Sequence, residues 1–311
     1  YEIASCLVGS EMCIRDSQFS DVLASSVRGI ANKLDTRVKG IPVIIYNALG
    51  FQANQTIEIE INLSESPKGI SVFDTKGKKV ASQLLAYRDG KARILMDATV
   101  PAVGYAVYDV RISGDKDVTL PSVLQKDGTY QFENSIYQMK LDVNGDITSL
   151  VDKRTNKEIV KPGKSIRLAF FTENKSYNWP AWEILKETID REPISIGGES
   201  VKVTLIENGK LRKTLCIRKQ YGKSTFCQYI HLYEGNLAHR IDFQNEIDWA
   251  STNALLKAEF PLNIINEKAT YDLGIGSIMR GNNTQTAYEV YAQYWACLLY
   301  TSPSPRDKRQ S

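Results

Sequence analysis

The segment Tyr130–Val160 constrains the fold more than any other part of the chain, because its pattern predicts a β-hairpin. Two alternating apolar runs, Ser135–Val143 and Ile147–Val151, flank the pair Asn144-Gly145. Asn-Gly favours a tight type I′ turn, since both residues tolerate a positive φ. A second turn is predicted near Thr155–Lys157. The middle of the chain is therefore expected to form antiparallel sheet, which later strands could share.

Composition argues against two classes of partner. With 311 residues, 42% hydrophobic and 24% charged, the chain resembles a soluble globular protein with one large or two ordinary domains. Its formal net charge is only +3, and it has no Lys/Arg-rich stripe with interleaved aromatics, so we expect no nucleic-acid partner. No apolar run approaches a membrane span. The sequence does not decide between a bacterial cytoplasmic and a periplasmic location.

The two ends differ from the middle of the chain. Leu7–Ser17 and Cys297–Ser311 show neither helical nor strand periodicity, and both resemble a translated sequencing-library adapter. We expect residues 1–17 and 297–311 to be non-native and without regular structure, a natural tail being the alternative. The natural sequence is then expected to be cut at both ends.

Residues 18–39 carry the one helical pattern of the sequence. Apolar residues recur every three or four positions over Gln18–Val38, which lines one face of a helix. This face is expected to pack against a partner. The residues concerned are Phe19, Val22, Leu23, Val27, Ile30 and Leu34.

From Gly40 the apolar period changes to two, which predicts strands. Gln55–Leu63 alternates strictly between isoleucine or leucine on one face and polar residues on the other, as in a strand buried on one side. Residues 40–113 are therefore predicted to form a small β-sandwich. Its other predicted strands are Ile41–Asn47, Ala81–Tyr87, Ala92–Ala98 and Tyr105–Arg111.

Residues 114–296 are predicted to form a second, larger sandwich after a polar linker, Gly114–Gly128. Hairpin turns are expected at Asn208-Gly209 and around Gly222, and the fold class is mainly β. Besides the first hairpin, the predicted strands are Ile166–Thr172, Val201–Glu207, Lys213–Lys219, Thr225–Tyr233, Ala238–Glu246, Leu255–Pro261 and Ala269–Asp272.

Metal sites have weak support in the sequence. Asp142, Asn144 and Asp146 match the start of a calcium loop, but Ile147 and Lys153 occupy the positions that require Gly and Glu, so a turn is the better interpretation. The two histidines, His231 and His239, have no cysteine or carboxylate at ligand spacing. We expect no metal in this chain, and hydrogen-bonded imidazoles on neighbouring strands.

Cys216 and Cys227 flank the turn at Gly222, which could bring them face to face across a hairpin. A disulfide is one interpretation. Two buried free thiols are the preferred one.

The loop Tyr177–Ile184 carries the most distinctive local cluster, Trp179, Trp182 and Glu183. Aromatic rings beside a carboxylate can hold a sugar, with the ring faces stacked and the hydroxyls hydrogen-bonded. They can equally plug the open end of a sandwich, and both interpretations stay open.

Six segments in order resemble the C-terminal half of an α-mannosidase of glycoside hydrolase family 38, from about Gln18 to Ala296. No single segment is specific, but their common order is. They are Gly40–Phe51, Glu133–Val160, Asn178–Ile184, His239–Trp249 with Ala254–Leu262, Ala269–Asn283 and Tyr288–Ala296.

The resemblance implies an architecture and an activity. The helix would be the last one of a middle helical domain, residues 40–113 a connecting β domain, and residues 114–296 a truncated galactose-mutarotase-like sandwich. Members of the family are retaining α-mannosidases with a zinc-bound sugar. Their nucleophile and zinc ligands lie on an N-terminal catalytic domain and have no matching positions here. Zinc is therefore expected in the parent enzyme and not in this chain.

Arg280 is the one residue that the resemblance suggests for contact with substrate. It matches an Arg of a family motif, although Gly281, Asn282 and Asn283 replace the usual Pro-Thr-His. An Arg that merely caps a strand end is the alternative.

The main hypothesis is a β-sandwich portion of an α-mannosidase that supports its own catalytic domain and one rim of a site for α-mannoside oligosaccharides. It is expected to be inactive alone. The alternative is a non-catalytic carbohydrate-binding module that uses Trp179 and Trp182. Linkage preference, natural substrate and oligomeric state stay open.

Overall fold

A computed structural model describes residues 2–114, 122–179, 182–198, 200–284, 286 and 288–298, with residues 2–16 described by their backbone alone. The chain divides into two compact units. One holds the chain up to residue 118 together with Gly209–Leu211, and the other holds the rest. Strands dominate both, which confirms the mainly β prediction.

The N-terminal helix differs from its predicted bounds. Helix α1 spans Glu2–Ala31, so it includes residues 7–17, for which no regular structure was expected, and it ends before Val38. The early start has a simple reason, because residues 2–17 contain no proline and many strong helix formers. The helix ends as its last turn tightens, with the Lys33 N–H bonded to the Ile30 carbonyl. No helix in the described part of the chain is long and apolar enough to cross a membrane.

The apolar face of α1 is exposed. Phe19 is 72% exposed and Leu23 65%, although their spacing suggested a buried stripe. One side of the helix does contact its own unit, where the Tyr46 hydroxyl donates to the Val27 carbonyl at 3.3 Å. Packing of the stripe against a partner stays a prediction.

The first unit contains two antiparallel sheets around one core. The sheets have the strand orders β1-β7-β3-β4 and β2-β6-β5. Val72 and Val110 of one sheet and Ile94 and Met96 of the other are fully buried in a shared cluster, which confirms the small sandwich. Its strands are β1 (Ile41–Asn47), β2 (Ala53–Asn62), β3 (Gly69–Phe73), β4 (Lys79–Val80), β5 (Ser82–Arg88), β6 (Lys91–Val100) and β7 (Gly104–Ser113).

The described residues of the second unit form four antiparallel sheets, with the orders β11-β10-β9-β8, β14-β15-β16-β17, β13-β12-β18 and β20-β19-β21. A four-residue helix, α2 (Lys186–Ile189), and a 3₁₀ turn, Gly235–Leu237, interrupt the strands. The strands are β8 (Tyr130–Glu133), β9 (Tyr137–Leu141), β10 (Ile147–Asp152), β11 (Lys157–Glu158), β12 (Arg167–Thr172), β13 (Ile194–Ser195), β14 (Lys202–Asn208), β15 (Arg212–Tyr221), β16 (Ser224–Tyr233), β17 (Ile241–Asp248), β18 (Ala254–Glu259), β19 (Lys268–Asp272), β20 (Ser277–Gly281) and β21 (Ala296–Cys297).

The main core of this unit lies between its two four-stranded sheets. Met139 and Leu141 of β9 pack in one cluster with Leu215 of β15 and Ile230 of β16, and all four are fully buried. Each strand thus gives one face to the core, as the alternating pattern predicts. The predicted hairpins β14-β15 and β15-β16 are present.

The first hairpin has a different turn from the one predicted. The Gly145 N–H bonds to the Asp142 carbonyl at 2.9 Å, and the Asp142 N–H bonds to the Asp146 carbonyl. Only Gly145 has a positive φ, +72°, whereas a type I′ turn requires one at Asn144 as well. The loop is therefore a three-residue turn with glycine in the left-handed position. The Asp142 side chain explains why this turn forms, because it accepts hydrogen bonds from the N–H groups of Asn144 and Asp146.

Cys216 and Cys227 are free thiols. The strand register places Cys216 opposite Tyr229 and Cys227 opposite Arg218, so the two cysteines are diagonal neighbours and not a facing pair. Their sulfur atoms still approach to 3.5 Å. Burial, followed by the contact with Cys227, raises the pKa of Cys216 to about 11, which keeps this thiol protonated.

Gly145→Ala should destabilise the second unit more than Gly163→Ala. Both glycines have φ near +75°, so each substitution carries the left-handed cost of about 1 kcal/mol. A Cβ at Gly145 would also lie 2.7 Å from Ile217 Cγ2, whereas one at Gly163 meets nothing within 4 Å. We expect Gly145→Ala to lower the free energy of unfolding by about 2–4 kcal/mol in urea titrations. Equal losses in the two variants would contradict the packing argument.

Candidate functional site

The two tryptophans predicted to contact sugar form a stacked pair. The ring centroids of Trp179 and Trp182 lie 5.6 Å apart and the rings are within 12° of parallel. Trp179 is 60% exposed and Trp182 is 82% exposed, so both indoles present surface to solvent. The two tryptophans therefore lie together, and their exposure shows that they do not fill the open end of a sandwich.

Backbone and polar contacts hold the aromatic loop in shape. The N–H groups of Trp182 and Glu183 both donate to the Trp179 carbonyl, at 3.0 and 2.9 Å. The Ser176 hydroxyl accepts the Trp179 N–H and donates to the Glu183 carboxylate. The buried Asn174 side chain donates to the Glu183 carbonyl at 3.2 Å. Glu183 therefore stabilises the loop that carries the indoles.

Arg280 lies on β20, and no described contact joins it to either indole. Its guanidinium carbon is 4.7 Å from the centre of the Tyr271 ring, and Nη2 donates to the Tyr291 carbonyl. Its Nε is buried with no hydrogen-bond partner among the described residues. These contacts fit a side chain that anchors a strand end, and contact with a sugar stays a prediction.

A short chain of bonds links the aromatic loop to the segment after β20. The Tyr288 hydroxyl donates to the Ile184 carbonyl at 2.6 Å. The Asn283 amide, three residues beyond Arg280, donates to the Tyr288 carbonyl at 2.5 Å. The three predicted site residues thus belong to neighbouring segments without touching one another in any contact described.

A separate cluster of polar residues covers the face of the β14–β17 sheet that points away from the main core. Strand register sets Thr214 beside both Glu207 and His231, and His231 beside Asp242. Most of these side chains are buried or half-buried. We call this group the polar cluster; it consists of Glu207, Arg212, Thr214, His231, Tyr233, Arg240, Asp242 and Gln244.

One half of the polar cluster centres on Glu207. Arg212 donates to its two carboxylate oxygens at 2.8 and 2.9 Å, and the Thr214 hydroxyl donates to it as well. The Thr214 Oγ1 is also 2.7 Å from His231 Nδ1. Since the single hydroxyl hydrogen goes to Glu207, the imidazole must donate from Nδ1, which fixes its tautomer.

The other half of the polar cluster centres on Asp242. The Tyr233 hydroxyl donates to Oδ2 at 2.9 Å, and Arg240 Nε donates to Oδ1 at 2.6 Å. Arg240 keeps 59% of its side chain exposed, so this ion pair stands at the solvent boundary. Burial, followed by the bond to Asp242, raises the pKa of Tyr233.

Burial and the neighbouring charges set the protonation states of the polar cluster. Burial is the largest influence on Glu207 and would raise its pKa, but the bonds and charge of Arg212 together with Thr214 hold that pKa below its usual value. Burial and then the Arg212 charge lower the pKa of His231. Glu207 is therefore ionised and His231 uncharged at neutral pH, and each of the two acidic side chains of the cluster pairs with one of its two arginines.

The polar cluster opens on a cavity of about 520 Å³. Another cavity of about 930 Å³ is lined by Lys161, Lys164, Arg167 and Arg191 among others, and none of Trp179, Trp182 or Arg280 lines it. No group of three or more His, Cys, Asp or Glu side chains in the described ranges could hold a metal ion. The described His, Cys, Asp and Glu side chains therefore do not fit a zinc site.

The sequence analysis predicted hydrogen-bonded rings on neighbouring strands for both histidines, and this holds for His231 on β16. His239 instead lies in an exposed turn before β17. The rest of the polar cluster was missed. The missed residues come from four strands, so only the strand register brings them together. A local signal did exist, because Arg212, Thr214 and Arg218 alternate along β15 with Leu215, Ile217 and other residues of the core face. Such alternation marks a polar face, without revealing which strands pair beside it.

The chain matches a protein-family model and several curated proteins. The model described as "Glycosyl hydrolases family 38 C-terminal domain" matches residues 132–300. Alpha-mannosidase 2C1 of Mus musculus is 26% identical over 297 residues, which is 90% of this chain and 27% of that protein. Alpha-mannosidase G of Dictyostelium discoideum is 26% identical over 277 residues, 82% of this chain and 24% of that protein. The chain thus spans about a quarter of the length of these relatives.

Solved structures show the same fold. The crystal structure of an alpha-mannosidase from Enterococcus faecalis superposes with a TM-score of 0.58 at 16% identity, covering 88% of this chain and 38% of that one. A second structure from Enterococcus faecalis, described as a protein in the glycosyl hydrolase family 38, gives 0.55 at 17% identity. At this identity the likeness concerns the fold alone.

His231 should make stability fall as the pH drops below neutrality. Its pKa is lowered in the folded chain, whereas an unfolded histidine titrates near about 6.5. Between these two values the unfolded state binds more protons, so the free energy of unfolding rises with pH across that window. We expect urea titrations at pH 7.5 and 5.5 to show a smaller loss for His231→Gln than for the natural chain. His239→Gln, whose side chain is exposed, serves as the control and should keep the full loss. If the two variants lost the same stability between pH 7.5 and 5.5, the pH dependence could not be assigned to His231.

Proposed function

Because the chain belongs to glycosyl hydrolase family 38, we propose that it is the C-terminal β-sandwich part of an α-mannosidase. The observation that carries the proposal is the family match over residues 132–300, which falls within the second unit of the structure apart from Gly209–Leu211. The whole enzyme would hydrolyse terminal α-mannosyl residues of oligosaccharides with retention at the anomeric carbon. The relatives named above, called alpha-mannosidases, support this proposal.

The role proposed for this chain is structural support of the catalytic part. Retaining hydrolysis requires one carboxylate as nucleophile and a second as acid and then base. No residue of this chain matches the family's nucleophile, so the catalytic part of the parent would supply it. Zinc, if the parent follows its family, would likewise be held outside the described residues, which do not fit it. No step of the reaction is assigned to this chain.

Three residues would face the substrate in this proposal. Trp179 and Trp182 would contribute an aromatic rim, and Arg280 would approach the sugar from β20. The exposed, stacked indoles support the first part. The Arg280 guanidinium lies over the Tyr271 ring and donates from Nη2 to the Tyr291 carbonyl, so its other Nη hydrogens would donate to the sugar.

The inactivity of the chain alone can be tested with 4-nitrophenyl α-mannoside. We expect no release of nitrophenol above the buffer blank, with or without added zinc, because no catalytic carboxylate pair is assigned to this chain. An intact α-mannosidase in the same assay is the positive control. Turnover that co-purifies with the chain and persists after a second chromatographic step would contradict the proposed role.

The stacked indoles favour a second function, a carbohydrate-binding module. Two stacked rings with most of their surface in solvent leave an outer ring face open as an apolar platform, which suits the CH face of a sugar ring. Such a module would bind mannose oligosaccharides without the rest of the enzyme. This function and the first one can coexist on one chain.

Trp182→Ala should abolish oligosaccharide binding if the indoles form this platform. Titration of the chain with an α-linked mannotriose, followed by tryptophan fluorescence and calorimetry, should show saturable binding that the variant loses by at least about tenfold. Tyr177→Ala is the matched control, because Tyr177 belongs to the same loop and is fully exposed. Binding that both variants retain would place the sugar elsewhere.

A further inference from the structure

We propose that the polar cluster on the β14–β17 sheet is a second carbohydrate site, which binds one neutral sugar ring in the cavity beside Asp242 and Arg240. The cavity of about 520 Å³ has the size typical of small-molecule sites, which run from about 300 to 1,000 Å³. Neither Trp179 nor Trp182 lines it. This site rests on the proposed function only for the expectation that the sugar is a mannoside.

The charge balance of the cluster selects a neutral ligand. Arg212 is bound to Glu207 through two hydrogen bonds, and Arg240 is bound to Asp242. An anion would have to compete with these carboxylates for the arginines, and a cation would have to compete with the arginines for the carboxylates. Charge-assisted pairs of this kind are costly to break when they are partly buried. A polyhydroxylated neutral molecule meets neither obstacle.

The pair Asp242 and Arg240 has the donors and acceptors that adjacent sugar hydroxyls require. A carboxylate offers about four acceptor positions and a guanidinium offers five N–H donors. The described bonds use two positions on Asp242 and one donor of Arg240. Each sugar hydroxyl both donates and accepts, so one hydroxyl can donate to Asp242 while its neighbour accepts from Arg240.

The rest of the cluster holds this pair in place. Tyr233 fixes one oxygen of Asp242, and Thr214 Oγ1 lies 2.7 Å from Nδ1 of the His231 ring. Tyr233, His231 and Thr214 are buried, so their rotamers are set before any ligand arrives. A preorganised site loses little conformational entropy on binding. The network therefore orients the Asp242 carboxylate, and a ligand can reach the exposed Arg240 from solvent.

The histidine rings give a direct test of the proposal, because the chain has only two of them. The full 311-residue chain, labelled with ¹⁵N, is titrated with methyl α-D-mannoside while the ring signals are followed by NMR. We expect a saturable shift of the His231 signals at sugar concentrations up to about 100 mM, typical of weak monosaccharide sites. The exposed His239 should not shift and serves as the internal reference.

Substitutions in β17 and beside it locate the site. Asp242→Asn and Arg240→Gln should each weaken binding by at least about tenfold, since each removes a charged hydrogen-bond partner of the sugar. Glu246→Gln is the matched control, because Glu246 lies on the same strand, bonds the Tyr229 hydroxyl and does not line the cavity. It should bind as the natural chain does. Thermal melts establish that each variant is folded. Arg240 is exposed, so Arg240→Gln should test binding without disturbing the folded core.

The outcomes separate this proposal from the proposed function. No saturable His231 shift, or binding unchanged by both Asp242→Asn and Arg240→Gln, would overturn the site. Binding of mannose 6-phosphate but not of the methyl mannoside would overturn the neutral-ligand assignment. A His231 shift that Trp182→Ala abolishes would move the sugar to the aromatic loop. Equal binding of methyl α-D-glucoside would uphold the site and contradict only the mannoside expectation taken from the family.

Discussion

Closure of the second unit depends on how the turn of the first hairpin packs against β15. Gly145 lies so close to Ile217 that no side chain fits between them. One residue later, Asp146 forms an ion pair with Lys219, and the two side chains are only 7% and 5% exposed. Burial raises the pKa of Asp146 while the Lys219 charge opposes that rise. A buried pair of this kind costs much to desolvate, and breaking it leaves an uncompensated charge.

This contact fixes where the two four-stranded sheets meet. With the turn in this position, Met139 and Leu141 of β9 pack with Leu215 of β15 in the main core. The opposite face of the β14–β17 sheet is then left to the polar cluster. The sheet thus turns a largely apolar face to the main core and carries the hydrogen-bonding groups of the polar cluster on its other face.

Much of this fold could be predicted from local patterns, and the failures have physical causes. An apolar β-branched run located β1 to the residue, and the period of two located most long strands to within a few residues, whereas the short strands β3 and β20 were missed. The turn at Asn144-Gly145 was assigned the wrong type, since the deciding group is the Asp142 side chain and not the pair itself. The indoles could be proposed from one loop, because their contacts are local. The polar cluster could not, since its members lie on four strands whose pairing is a tertiary property.

The bond from the Tyr288 hydroxyl to the Ile184 carbonyl has a practical consequence for shortened versions of this protein. The segment that contains Tyr288 follows β20 and contributes no described residue to the main core of its unit, so it would be an obvious part to delete. Deleting it would release the end of the aromatic loop from its anchor. A minimal domain intended to display both tryptophans in register therefore has to extend past residue 288.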